Sequence, residues 1–230
     1  MTRFDAVLWD LDGTILDSAM AHYHTWRELL AEYGHDYAYA DFLAGFGQSN
    51  RMVLTGIFPE ISAEEIAAVS DKKERMFRRI LLRDGAQMLP GVTDWLQAFG
   101  AAGLVQVLSS SAPMANITTA VHALDVGDFF AAMMSGAHLP KSKPDPMLFL
   151  QSAAYLALPP ARCLVIEDSV HGVEAARRAG MACVVVGALA ADPALDTLLA
   201  VTPGPGCLRT GSLSAMTWAQ LGELAAVAPV

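Results

Sequence analysis

Phe4–Trp9 is a short apolar run, broken only by Asp5, that stops at Asp10-Leu11-Asp12-Gly13-Thr14. A run of that length without alternation predicts a strand buried on both faces, and the acidic, glycine-containing stretch predicts the turn that ends it. From Ser18 the rhythm changes. Tyr23, Trp26, Leu29, Leu30 and Tyr33 recur at helical spacing, and Gly34 supplies a stop. Helical patterns follow at Asp41–Phe46, at Gln48–Ile57 and along a charged stretch from Ser62 to Leu82. Ser62 and Glu65 there have the spacing of a capping box. Leu89-Pro90-Gly91-Val92 breaks this block, and strands and helices then alternate. Helices are expected at Val92–Ala102, Pro113–Leu124, Pro146–Leu156 and Val170–Ala179, with Pro113 suited to a first turn. Strands are expected at Leu104–Leu108, Ala131–Met134, Cys163–Ile166 and Ala182–Val186. Alternation of this kind implies an α/β fold, a parallel sheet covered by helices on both faces. The first strand belongs with the later ones. Residues 19–87 therefore read as an all-helical insertion into a core made of 1–18 and 88–230. The pattern weakens from Asp192 onward, across the break Thr202-Pro203-Gly204-Pro205-Gly206, until Trp218–Val227 reads as a last helix.

Composition narrows the classes. Fifteen Lys and Arg against 24 Asp and Glu leave a net charge of −9 over 230 residues, which argues against a dedicated nucleic-acid binder. Hydrophobic content is 53%, but runs such as Met181–Val186 fall far short of the roughly 18 residues a membrane span needs. No membrane partner is expected. Cys163, Cys183 and Cys207 lack metal-type spacing and read as reduced core thiols. With no secretory leader pattern at the start, a cytoplasmic location follows as an expectation. Oligomeric state is open, with a monomer favoured. Only four lysines occur, Lys72, Lys73, Lys141 and Lys143, so each is a candidate if an anion must be held.

In open parallel sheets, ligands bind outside the carboxyl ends of the strands. The chain places Asp10, Asp12 and Asp17 after the first strand and Ser109, Ser110 and Ser111 after the second. Lys141-Ser142-Lys143-Pro144-Asp145-Pro146 precedes a later helix, and Glu167-Asp168 follows the Cys163–Ile166 strand. Clustered carboxylates resist ionisation unless a cation joins them. Oxygen-only donors favour Mg²⁺, which leaves places for a substrate phosphate. An aspartate beside such a cation and a lysine is an ionised nucleophile suited to attack on phosphorus.

Asp10-Leu11-Asp12-Gly13-Thr14-Ile15-Leu16-Asp17-Ser18 resembles the first motif of the haloacid dehalogenase superfamily. Ser109, Lys143-Pro144 and Glu167-Asp168 resemble its second, third and fourth motifs in order. The position of the helical block resembles the subgroup with a helical cap, which includes β-phosphoglucomutase-like proteins and many small-molecule phosphatases. The resemblance implies a Rossmann-like core whose inserted cap closes over substrate, with hinges near Asp17–Ser18 and Gln87–Pro90. It implies Asp10 as the nucleophile that becomes an aspartyl phosphate, and Asp12 as the group that protonates the leaving oxygen and then activates water. Asp10, the backbone carbonyl of Asp12, and Asp168 would hold Mg²⁺, with Glu167 supporting through a coordinated water. Ser109 and Lys143 would bind the transferring phosphoryl group, with Gly13, Thr14 and Ser110 beside them on the substrate. Asp12 excludes true dehalogenases, which lack that second aspartate.

Plainer readings stand beside these. Glu167-Asp168-Ser169 is also a good helix cap, and Ser169 is expected to take that part. Ser110 and Ser111 also suit a role satisfying turn amides, and Lys141 reads as a solvated lysine. His22 and Trp26 fall where β-phosphoglucomutases carry a histidine and a tryptophan, and Lys73 where those enzymes hold a second phosphate. His22 is equally readable as a surface residue, and Lys73 as part of the solvated charge run Lys72–Arg79. Two departures weaken the mutase reading. Asn50, within Gly47-Gln48-Ser49-Asn50-Arg51, replaces the cap arginine, and Pro113 replaces the asparagine after the second motif. The expected function is a Mg²⁺-dependent phosphatase for a small organic phosphate, a phosphosugar or related metabolite. A β-phosphoglucomutase-type isomerase is the rival, and a non-catalytic metabolite-binding module is the third reading.

Overall fold

The segment β1 (Ala6–Trp9) buries all four of its apolar side chains, as a strand covered on both faces must. It pairs in parallel with β2 (Val105–Ser110) on one side and β4 (Cys163–Glu167) on the other. The strand β3 (Ala132–Ser135) lies beyond β2, while β5 (Ala182–Val186) and β6 (Cys207–Thr210) lie beyond β4. Among the described residues, 4–45 and 49–227 of a computed structural model, these six strands make one sheet in the order 3-2-1-4-5-6. That is a Rossmann-like order, and its connectivity reverses at β1. The crevice outside the carboxyl ends of β1 and its neighbours is where such sheets take ligands.

Two compact units result, one from Met1–Asp17 with Gln87–Val230 and the other from Ser18–Ala86. The first carries the sheet with α5 (Val92–Ala101), α6 (Met114–Leu124), α7 (Met147–Tyr155), α8 (Val170–Arg178), α9 (Pro193–Val201) and α10 (Trp218–Val227). Ala6, Leu8, Val107, Val165 and Val185 pack with Phe149 and Ala153 of α7 and Val173 and Ala176 of α8 on one face. Trp9, one residue on and so on the other face, packs edge-on against Phe99 of α5 and donates its indole N–H to Gln106 Oε1 at 3.0 Å.

Among its described residues the second unit carries four helices and no strand: α1 (Ala19–Ala31), α2 (Tyr39–Gly45), α3 (Asn50–Ile57) and α4 (Ala63–Asp84). Trp26, Leu29, Leu30, Phe42, Leu54, Ile66 and Val69 form its core. The Ser62–Glu65 capping box starts α4 as its spacing predicts. The segments Phe46, Gly47 and Gln48 of the expected second and third helices lie outside the described residues. Among the described residues no helix is long and apolar enough to cross a membrane.

The loop after β1 is tightly tied. Leu11 O accepts from Ile15 N and Leu16 N, each at 2.9 Å, and Gly13 N donates to Leu16 O at 2.9 Å. Leu16 then lies antiparallel to Met88, with Asp17 N on Gln87 O and Leu89 N on Ile15 O, both at 2.9 Å. The chain's departure into the helical unit and its return therefore run side by side.

Two features differ from the sequence expectation. β2 extends to Ser110, so Ser109 and Ser110 are strand residues rather than loop residues. The weakly patterned tail holds both α9 and β6. Arg177 fastens that tail to the core. Its buried guanidinium donates to Thr202 O through Nε at 2.8 Å and to Pro205 O through Nη1 at 2.6 Å. Arg177→Met should lower stability by about 2–3 kcal/mol, because it leaves buried carbonyls without their charged donor. Urea unfolding at fixed pH checks this, and a change below about 0.5 kcal/mol would remove Arg177 as the fastening.

Candidate active site

Asp10 follows directly on β1, Glu167 ends β4 and Asp168 follows it, so adjacent strand ends deliver three carboxylates to one place. One oxygen from each lies within 4.8 Å of the others. Lys143 reaches them from the segment before α7, across a cis Lys143–Pro144 bond. Its Nζ donates to Asp10 Oδ1 at 2.5 Å and to Glu167 Oε1 at 3.3 Å, and sits 5.0 Å from the centre of the buried Phe149 ring.

The electrostatics are unbalanced. Burial alone lowers the Lys143 pKa, but the charges of Asp10 and Glu167 outweigh it and raise the pKa, so the ammonium stays charged. The Asp10 pKa is nevertheless raised, by burial first and then by the Glu167 charge, with Asp12 adding a smaller push. Asp168 is raised too, by burial, then Glu167, then Asp10. Acid and base shift upward together because the carboxylates are buried and because one ammonium faces three of them. A hard divalent cation would cancel the excess, and the oxygen-only donor set fits Mg²⁺.

Gly13 keeps room for this arrangement. It adopts φ +78°, and a Cβ there would fall 1.9 Å from Asp168 Oδ2. Gly13→Ala should therefore displace Asp168 and weaken Mg²⁺ affinity or rate by about 10–100-fold. A Mg²⁺ titration of the activity checks this, and an unchanged midpoint and rate would show that Asp168 need not sit where it does. Thr14 is buried and turned the same way, donating to Asp168 Oδ1 at 3.4 Å. Both residues thus serve Asp168 in the structure.

Ser109 departs most from expectation. Its hydroxyl is fully buried and pairs with Ser152 Oγ of α7 at 2.8 Å, while Ser152 donates to Leu148 O at 2.9 Å. Strand alternation turns it into the layer between sheet and helix. Ser110, the last residue of β2, accepts from Ala112 N at 3.1 Å and keeps its own proton to donate. Lys141 is exposed beside Asp145, as a solvated lysine is.

The remaining candidates belong to the helical unit. Lys73 is buried rather than solvated, donating to Glu74 Oε1 at 3.0 Å and to His22 Nδ1 at 3.1 Å. His22 stacks on Phe77 at 4.2 Å between ring centres, and the Trp26 ring lies 5.6 Å from the Lys73 ammonium. Asn50 Nδ2 donates to the same Glu74 oxygen at 2.8 Å. Sequence reasoning missed Glu74, although its place beside Lys73 in the charge run was visible. It also missed Ser152, for which the sequence carried no signal.

The haloacid dehalogenase-like hydrolases match residues 7–186 of the chain. Fructose-1-phosphate phosphatase YqaB of Escherichia coli (strain K12) is 31% identical over 185 residues, 80% of this chain and 97% of that protein. β-Phosphoglucomutase of Bacillus subtilis (strain 168) is 31% identical over 191 residues, 79% of this chain and 83% of that protein. The crystal structure of a family IA hydrolase from Entamoeba histolytica shares the fold with a TM-score of 0.83 at 20% identity, covering 97% of this chain and all of that one.

Proposed function

The chain belongs to the haloacid dehalogenase-like hydrolases, and on that premise we propose that it is a Mg²⁺-dependent phosphatase of a small organic phosphate, a phosphosugar or related metabolite. The observation that carries this reading is the Lys143–Asp10 pair at 2.5 Å inside a cluster of three carboxylates. A buried carboxylate held by an ammonium has one oxygen fixed and the other available as a nucleophile.

Asp10 attacks phosphorus and becomes an aspartyl phosphate. Asp12, two residues along the same loop, protonates the leaving oxygen and then takes the proton from the attacking water. Lys143, with Ser110 at the end of β2, binds the transferring phosphoryl oxygens. Asp10, the Asp12 backbone carbonyl and Asp168 would hold the cation, with Glu167 in a supporting place beside them. When bound, Mg²⁺ neutralises charge on the phosphoryl oxygens.

Water is preferred to a second sugar hydroxyl as acceptor because the two positions with which the mutases hold a second phosphate are replaced here, by Asn50 and Pro113. The Lys73 ammonium already has Glu74 as counter-charge, and Asn50 stands where the mutases carry an arginine. Similarity to the Bacillus mutase keeps phosphosugar isomerisation as the second reading. His22 and Lys73 are assigned to substrate binding on the same resemblance, and the expected setting is the cytoplasm.

³¹P NMR with Mg²⁺, a panel of phosphometabolites and a trace of sugar bisphosphate tests both readings. Inorganic phosphate from one substrate class supports the phosphatase and names that class. Conversion to a positional isomer with little free phosphate would replace it with the mutase.

A further inference from the structure

Glu167 is held more closely than a supporting carboxylate needs to be. It is 1% exposed. Its Oε1 accepts from Ser169 Oγ at 2.9 Å as well as from Lys143, and its Oε2 accepts from Asp168 N at 3.2 Å. The Ser169 hydroxyl is itself ordered, because it accepts from Gly172 N at 3.0 Å in capping α8. Its single proton is thus directed at Glu167. Gly172 closes the other side. A Cβ there would lie 1.7 Å from Glu167 Oε1 and 2.0 Å from its carboxyl carbon. The side chain therefore occupies space that exists only because residue 172 has no side chain.

We propose that Ser169 is a positioning residue for the cation site, pinning Glu167 Oε1 so that the carboxylate enters the acid cluster already oriented. The proposal rests on the reading of that cluster as a Mg²⁺ site. Without Ser169, Oε1 has only the Lys143 ammonium as a side-chain donor among the described residues, and that ammonium is shared with Asp10. Glu167 would then draw Lys143 toward itself or turn within its pocket. Either movement disperses the oxygens that the cation must gather.

Ordinary helix capping and positioning are separable by the choice of variant. Glycine at an N-cap costs only a few tenths of a kcal/mol relative to serine, whereas alanine costs about 1. Ser169→Gly thus keeps most of the cap and loses the donor, Ser169→Ala loses both, and Ser169→Thr keeps both. Calorimetric titration of the substrate-free protein with Mg²⁺ should show affinity about 10–100-fold weaker for Ser169→Gly and Ser169→Ala. Ser169→Thr should bind as wild type does. Thermal midpoints should rank differently, with Ser169→Gly near wild type and Ser169→Ala below it. Gly172→Ala displaces Glu167 with the hydroxyl intact, and should reproduce the Mg²⁺ loss. Wild-type affinity in both the Gly and Ala variants would overturn the proposal and leave Ser169 a cap. A wild-type protein that itself binds no Mg²⁺ would overturn the cation reading instead.

Discussion

Asp10→Asn will reduce phosphate release to background, a loss of more than about 10⁴-fold, while leaving a folded protein. The amide has the shape of the carboxylate but neither its charge nor its nucleophilicity. Lys143 keeps Glu167 as a partner, so no ammonium is stranded. Stability should move in the opposite direction from activity. The folded pKa of Asp10 is raised above its ordinary value of 3.8, so the folded state binds the extra proton and the metal-free wild type loses stability as pH rises from that value. Asn at position 10 takes no part in that loss. Metal-free Asp10→Asn should therefore melt at or above the wild-type midpoint at pH 8, with the difference shrinking toward pH 4. A variant that turns over at wild-type rate would dismiss Asp10 as nucleophile. One that melts far below wild type at pH 8 would show that the buried charge stabilises the site after all.

Asp12→Asn should slow turnover of an alkyl phosphate by about 10²–10⁴-fold, the usual worth of a positioned general acid–base group. The loss should depend on the leaving group. An aryl phosphate expels a weakly basic oxygen that needs no proton, so Asp10 can still be phosphorylated. Water attacking the aspartyl phosphate still needs a base, and that step stays slow. Rapid mixing should show a burst of phenol near one equivalent, followed by a slow steady state. Equal, unchanged rates with both classes of substrate would remove Asp12 from the mechanism.

The parts of the fold that were legible are those where burial is uniform. β1, β5 and β4 as far as Ile166 are apolar on both faces, and runs of four or five such residues bounded by turn signals suit buried strands. Their ends carry Asp10, Glu167 and Asp168, so the acidic half of the site could be read once the strands were found. β6 could not. Cys207-Leu208-Arg209-Thr210 is four residues long at a sheet edge, and its half-exposed pattern resembles loop. The setting of Ser109 was not legible because the sequence does not say where β2 ends. Two more residues of strand turn its hydroxyl toward α7 and leave Ser110 at the edge.

Lys73 had a signal that the surrounding charges obscured. Ile66, Val69, Lys73, Phe77 and Ile80 are spaced by three, four, four and three, one face of a helix, and all are buried. A lysine on that stripe must bring its own counter-charge inward, and Glu74 is that charge.

The paired backbone segments where the chain leaves and re-enters the sheet unit have a topological consequence. Because Asp17 N meets Gln87 O, the 69 residues of Ser18–Ala86 form a detour that returns to within one hydrogen bond of where it left. The sheet unit could in principle be closed at that point by a turn of a few residues. Its strand order, its acid cluster and its lysine all lie outside the detour. Substitution, lengthening or exchange of the helical unit therefore asks nothing of the catalytic frame except that two neighbouring ends be met, which is the condition under which one chemistry can be carried to many substrates.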